Sequence, residues 1–76
     1  PNPLIDEGNI DFSIPQGSTG SIIIRDVTGK VVSESNGLVM NGSVQLKSSD
    51  FMSGIFFSTL VVDNRSYSTK RFVVIR

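Results

Sequence analysis

The side chains that could do chemistry in this chain are limited in type. Seven Asp and Glu residues and seven Lys and Arg residues are present, and histidine and cysteine are both absent. Without them, neither a Ser-His-Asp triad nor a Cys-His pair can be assembled within the chain. The usual zinc sites lose both of their preferred ligands. The sequence therefore predicts a protein that is not an enzyme, with no catalytic site and no cofactor.

The seven carboxylates of the chain could in principle hold a metal ion or supply a catalytic acid and base. Asp6, Glu7, Asn9 and Asp11 supply oxygen ligands of the kind that calcium prefers, but they lack the spacing and the turn glycine of an EF-hand loop. A glycosidase pair would need a substrate cleft, and a core this small leaves little room for one. We interpret these residues as turn and strand-edge chemistry and predict no metal site.

Charge gives no indication of a nucleic-acid partner or an anionic membrane, because the formal net charge is zero. The chain has neither an apolar run long enough to span a bilayer nor a basic-then-apolar leader. Since it begins at Pro1, we expect a processed product or a fragment. The basic residues near the end suit either a solvated strand face or a functional basic end. They are Arg65, Lys70, Arg71 and Arg76.

The elements that must position these side chains are short strands. Apolar stretches recur at spacings of roughly ten residues, each bounded by Gly, Pro, Asn, Asp or Ser, as in sandwiches and barrels. A length of 76 residues suffices for one domain. We therefore predict an all-β domain, residues 1–76, folded as an immunoglobulin-like antiparallel β-sandwich of about seven short strands.

Turn chemistry divides the chain into these strands. Asp26-Val27-Thr28-Gly29 places Asp first and Gly fourth, as a type I turn favours, and predicts a hairpin. Asn36-Gly37 and Asn41-Gly42 are further turn signals, because both residue types tolerate positive φ. Between them, Leu38-Val39-Met40 forms either a short strand or a packed loop. Asp63-Asn64 suits a two-residue turn before the last strand.

The second half of the chain contains the most apolar segments. Ile55 to Val62 has apolar residues at both odd and even positions, so both faces of the strand are apolar, which predicts a central strand. The preceding Ser48 to Ser53 predicts one helical turn or an irregular crossing, with Phe51 or Met52 plugging an end of the core. In the last strand, Ser66 to Ile75, periodicity leaves open which face points inward. The alternatives are Phe72 with Val74, and Val73 with Ile75.

The aromatic residues of these strands have two interpretations. They could form an exposed platform that stacks on sugars or bases, but aromatic residues in the strands of a small domain are usually buried. We favour burial. The residues concerned are Phe56, Phe57, Tyr67 and Phe72.

Five segments, taken in order, carry motifs of a known family: Pro1-Asn2-Pro3, Ile10 to Pro15, Ile22 to Val32, Gly54 to Phe57 and Lys70 to Val74. Together they resemble the C-terminal sorting domains of the type IX (Por) secretion system of some bacteria with outer membranes. They resemble the opening PNP motif, the first apolar strand, a strand with an aspartate and a turn glycine, a glycine-aliphatic-tyrosine element, and a basic and apolar closing strand. Phe56 stands where the family usually has tyrosine.

The resemblance implies recognition rather than catalysis. Such a domain ends a larger secreted protein, and residues 1–76 are expected to be excised from one, with the cleavage site upstream. The cargo reaches the periplasm and passes through an outer-membrane translocon. A sortase-like peptidase then removes the domain and attaches the cargo to the cell surface. The implied partners are the translocon's shuttle protein, this peptidase and the N-terminal cargo domain.

By resemblance, the last strand and its basic residues are the candidates for contact with the shuttle protein. An edge strand of this kind also permits self-association. The alternative functions are a carbohydrate-binding or adhesive module, and a passive spacer in a surface protein. The candidate recognition residues are Gly54, Phe56, Lys70, Arg71, Phe72, Val74 and Arg76, and the structural motif residues are Pro1, Pro3, Asp26 and Gly29.

Overall fold

The computed structural model describes residues 3–76, so Pro1 and Asn2 of the opening motif lie outside the described residues. The elements in this part of the chain are six strands and one short 3₁₀ helix, which confirms the prediction of an all-β fold. They are β1 (Glu7–Ser13), β2 (Gly20–Asp26), β3 (Val31–Leu38), β4 (Asn41–Lys47), the 3₁₀ helix (Ser48–Asp50), β5 (Gly54–Val62) and β6 (Arg65–Val74).

The strands form two antiparallel sheets that pack as a sandwich. β1 pairs with β4, and the larger sheet has the order β3-β2-β5-β6. β5 therefore lies between two neighbours, as its apolar sequence predicts. Leu4 adds an isolated parallel bridge to Val74, outside the named strands. Among the strands of residues 3–76, β6 is consequently an edge strand, and Leu4 pairs with one end of it.

The core lies between the two sheets and is built from alternate residues of the strands. On β2, Ile22 and Ile24 are each only 2% exposed, whereas Ile23 between them is half-buried on the outer face. This alternation is what an antiparallel sheet with one covered face requires. The buried cluster consists of Leu4, Ile22, Ile24, Leu46, Phe51, Phe56, Phe72 and Val74.

Two of the predicted turns are confirmed. At the β2–β3 hairpin the Gly29 amide donates to the Asp26 carbonyl at 3.0 Å, and the Asp26 amide donates to the Lys30 carbonyl at 3.0 Å. At the β5–β6 hairpin, Asp63 and Asn64 both have positive φ, 50° and 66°. Two consecutive residues with positive φ characterise the type I′ turn, whose twist matches that of the flanking strands.

The prediction of a turn at Asn36-Gly37 is wrong, because both residues lie inside β3. Gly20 is opposite Leu38 and Ile22 is opposite Ser35, so β3 contains one residue more than β2 over this interval. Such an extra residue forms a β-bulge, and Gly37 adopts a φ of 69°, which glycine accepts at no steric cost. The sequence therefore correctly indicated a positive φ at Gly37, but this φ belongs to a bulge inside β3 and not to a turn between strands.

The turn predicted at Asn41-Gly42 is also wrong, since these residues begin β4. The chain instead crosses between the sheets at Val39 and Met40, where Met40 has a φ of 60°. Gly42 lies opposite Phe12, and a Cβ added to it would come within 2.9 Å of the Phe12 ring. The glycine makes room for this ring, which an added Cβ would displace, and does not form a turn.

The segment between β4 and β5 closes one end of the sandwich. It contains the predicted single helical turn, at Ser48–Asp50. Phe51 follows at 6% exposure and plugs the core, whereas Met52 is 79% exposed. The structure therefore decides between these two residues in favour of Phe51.

Candidate recognition site

The inner face of β6 carries Phe72 and Val74, which are 5% and 1% exposed. This settles the choice between the two faces that the sequence left open. Phe72 is directly opposite Phe56 on β5, and their rings stack with centroids 5.8 Å apart. Phe51 packs edge-on against both rings, at 5.2 and 6.0 Å. These three rings hold β6 against the core.

Residues from separate sequence motifs meet at one end of the sandwich, which we call the motif end. Asp26 of β2, Phe56 of β5 and Phe72 of β6 lie in one cross-strand row. In the next row Gly54 is opposite Val74, and Leu4 bridges to Val74 from the other side. The strand pairings therefore bring together segments from the start, the middle and the end of the chain.

Asp26 fixes the turn at the motif end. Its carboxylate Oδ1 accepts hydrogen bonds from the Thr28 hydroxyl at 2.6 Å, the Thr28 amide at 2.9 Å and the Lys30 amide at 3.1 Å. These bonds, that of the Thr28 hydroxyl first, lower the pKa of the Asp26 carboxyl below its ordinary value. Gly29 completes the turn with a φ of 90°. Both residues therefore shape this turn.

Leu4, next to Pro3, joins the start of the chain to β6. The Leu4 amide donates to the Val73 carbonyl at 2.7 Å, and the Ile75 amide donates to the Leu4 carbonyl at 3.1 Å. Because neighbouring residues of an extended chain direct their backbone groups to opposite sides, the Pro3 nitrogen faces away from β6. A proline therefore removes no hydrogen bond there.

The backbone of β6 has an open edge beyond Leu4. The Val73 carbonyl and the Ile75 amide point away from β5, towards Leu4. By the alternation of an antiparallel ladder, the backbone groups of Thr69 and Arg71 point the same way. Within residues 3–76, no strand pairs with this edge at either residue. The edge therefore offers two N–H and two C=O groups to an additional strand.

The basic residues predicted as recognition residues are not equivalent. Lys70 and Arg71 are exposed, and β6 carries three basic residues and no acidic one. Lys70 belongs to the same strand face as Phe72, whereas Arg71 projects from the outer face opposite Phe57. The Arg76 guanidinium donates to the Phe51 carbonyl at 3.0 Å and so closes the motif end.

A cleft of about 310 Å³ opens between the edges of β1 and β6, where the sheets are not joined. Ile10, Leu46 and Phe72 form its apolar part. Its polar part mixes acidic and basic groups, including Asp11 and Lys70. The remaining lining residues are Asn9, Ser58 and Arg71.

The prediction that the strand aromatics are buried is confirmed for two of the four. Phe56 and Phe72 are buried, Phe57 is half-buried on the outer face, and Tyr67 is 65% exposed. For Tyr67 the prediction is wrong, because it lies near the turn end of the edge strand, at the irregularity opposite Leu60 and Val61. The rings do not form a common exposed platform.

Sequence reasoning expected the last strand to be an edge strand, but it did not single out Leu4. Leu4 is fully buried, and its apolar side chain is the local feature that could have indicated this burial. The edge had no local signal, because it depends on which strands are neighbours. Within residues 3–76, no helix has the length and apolar character to cross a membrane, and no cluster of three or more potential metal ligands is present.

Residues 3–76 form a small β-sandwich whose sequence motifs are gathered at one end, beside the edge strand β6. The family model for the secretion system C-terminal sorting domain matches residues 1–75, and the chain belongs to this family. It is therefore a type IX sorting signal, which engages the secretion machinery and directs export across the outer membrane. No curated protein and no solved structure matches the chain.

Proposed function

We propose that residues 1–76 form the C-terminal sorting domain of a larger secreted protein, and that the translocon's shuttle protein binds the β6 edge. The cargo precedes the domain and crosses the periplasm before export. A sortase-like peptidase then removes the domain upstream of its first strand and attaches the cargo to the cell surface. The observation that carries the proposal is the open edge at Thr69 and Arg71, beside Leu4.

The open edge suits binding by β-augmentation. An incoming strand would bond to the backbone of Thr69 and Arg71, and these main-chain bonds supply affinity. Alternate side chains of that strand would point into the cleft between β1 and β6, whose volume of about 310 Å³ admits one or two of them. The mixed polar lining would then select among partner strands.

Charge supports the same partner surface. Lys70 and Arg71 are exposed on a strand that has no acidic residue. An acidic partner would be steered towards this strand, and binding would weaken as salt screens the attraction. Gly54, Phe56, Phe72 and Val74 act differently, because they are buried or half-buried and hold β6 in place.

The export of a fused reporter tests the proposal. Residues 1–76 are fused to an exported reporter in a host with a type IX system, and the reporter is measured in the medium and at the cell surface. Deleting residues 70–76 is a poor test, because it also removes Phe72 and Val74 from the core. A variant that changes only the open edge is needed.

Thr69→Pro removes the outward N–H and adds a ring at the open edge, so we expect export to fall at least about tenfold if augmentation is required. The Thr69 hydroxyl bonds to the Thr59 hydroxyl at 3.0 Å, and this bond is lost as well. Thr69→Val is the matched control, since it loses the same bond but retains the N–H. Equal export by the two variants would contradict β-augmentation, and a wild-type reporter held in the periplasm would contradict the sorting function.

A further inference from the structure

The outer face of the four-stranded sheet carries a row of three side chains, of which Arg71 alone belongs to the edge strand β6. Arg25 of β2 is directly opposite Phe57 of β5, and Phe57 is directly opposite Arg71 of β6. Their sequence neighbours Ile24, Phe56 and Phe72 point into the core, so this row points outwards. We call these three residues the Arg-Phe-Arg row.

Apolar side chains lie on both sides of the row. Ile55 and Val73 form the row on one side, and Ile23 shares the row on the other side with two threonines, Thr59 and Thr69. An antiparallel sheet with one solvated face normally has polar residues there. Here Ile55 is 39% exposed, and Ile23 and Val73 are half-buried on the same face. A partly apolar face with arginines and an aromatic ring has the composition of a protein interface rather than of a solvated sheet.

The two arginines of the row lack a carboxylate partner within residues 3–76, where no ion pair of 4.0 Å or less is formed. Glu34 supplies the one carboxylate on the outer faces of the four strands, and it lies opposite Ile23 in the neighbouring row. Adjacent strands are about 4.8 Å apart, so Arg25 and Arg71 project from backbones separated by about 10 Å. The row is therefore a pair of unpaired cations on either side of a half-buried ring.

We propose that the Arg-Phe-Arg row is a second docking surface, which binds an acidic protein surface that places an apolar side chain on Phe57 between two carboxylates. The inference rests on the proposed function, since the partner would belong to the type IX machinery. Guanidinium groups bind carboxylates through two parallel hydrogen bonds, and arginine and aromatic residues dominate the energy of protein interfaces. A polysaccharide would leave the surrounding apolar residues uncovered, so a protein suits this face better.

Substitutions at Arg25 test this surface without changing the β6 edge. It lies two strands away from that edge, and its side chain is on the outer face. The binding of the purified domain to purified shuttle protein in detergent micelles is measured for the wild type, Arg25→Glu and Arg25→Ala. Arg65→Glu is the matched control, because it reverses an exposed charge at the other end of β6.

We expect Arg25→Glu to weaken binding at least about tenfold and Arg25→Ala by a smaller factor, with Arg65→Glu within about twofold of the wild type. Circular dichroism and urea unfolding identify any variant that does not fold. If Arg25→Glu does not fold, the binding of Arg25→Ala tests the second surface in its place. Equal binding by Arg25→Glu and Arg65→Glu would overturn the second surface. In that case, a loss of binding by Thr69→Pro in the same assay would still support binding of the partner at the β6 edge. An effect of Arg25→Glu on binding to soluble anionic polysaccharide alone would also overturn the proposal, and no binding by the wild type would overturn both surfaces.

Discussion

At the scale of single residues, Phe72 connects the edge strand to the core. Its ring stacks on Phe56 and meets Phe51 edge-on, and it is 5% exposed. Aromatic pairs of this kind contribute about 0.5–1.5 kcal/mol beyond the area they bury. In a domain of this size such contacts are a large part of the net stability.

Phe72→Ala is expected to lower the free energy of unfolding by about 3–5 kcal/mol, because it leaves a cavity beside two rings. Urea unfolding followed by circular dichroism measures this loss. Tyr67→Ala is the control on the same strand, since Tyr67 is 65% exposed, and its effect should stay within about 0.5 kcal/mol. A loss of similar size in both variants would show that the aromatic cluster does not hold β6.

The lowered pKa of Asp26 makes the free energy of unfolding depend on pH. Its pKa is lowered in the folded state, chiefly by the Thr28 hydroxyl, so the folded protein binds this proton more weakly than the unfolded chain does. The stabilisation is complete above the unfolded value of about 3.9 and is lost as the pH falls through the lower folded pKa. In urea unfolding between about pH 6 and about pH 2, the wild type should therefore lose more stability than Asp26→Asn. Parallel pH profiles would contradict this role.

At the scale of elements, the two edges of the large sheet differ. β3 departs from regular pairing with β2 at two places, one of which contains Gly37. Bulges twist an edge and discourage a further strand from pairing with it. β6 is regular from Ser68 to Val74 in its pairing with β5. The asymmetry favours augmentation, and any self-association, at β6.

Gly37→Ala is expected to destabilise the domain by about 1–2 kcal/mol, because its φ of 69° disfavours any residue with a Cβ. Nothing lies within 4 Å of the added Cβ, so backbone strain is the only cause. Ser35→Ala, in the same strand, should change stability by less than about 0.5 kcal/mol. The difference between the two is measured by thermal or urea unfolding, and a neutral Gly37→Ala would contradict a bulge that requires positive φ.

At the scale of the whole molecule, the start and the end of the described chain are joined. Leu4 is fully buried, and its backbone bonds to Val73 and Ile75. Arg76 bonds to the Phe51 carbonyl and, through its amide, to the Ser53 hydroxyl. The motif end therefore depends on contacts between residues that are far apart in sequence.

Leu4→Ala is expected to cost about 2–5 kcal/mol of stability and to speed amide hydrogen exchange at Ile75, whose N–H bonds to the Leu4 carbonyl. Ile5→Ala is the matched control, because Ile5 is 56% exposed and should have little effect on either measurement. Unchanged protection of Ile75 in Leu4→Ala would show that the bridge forms without the buried side chain.

The fold class, the central position of β5 and the turns at Asp26–Gly29 and Asp63-Asn64 could be predicted from the sequence, and the lack of His and Cys excludes chemistry that needs them. These features depend on residue type and on spacing within a few residues. Tertiary structure alone decided that Gly37 lies in a bulge. It also decided that Phe72 faces inward, that Leu4 covers one end of β6, and that the motifs meet at one end. Each of these depends on which strand is the neighbour, and pairing between distant segments has no local sequence signal.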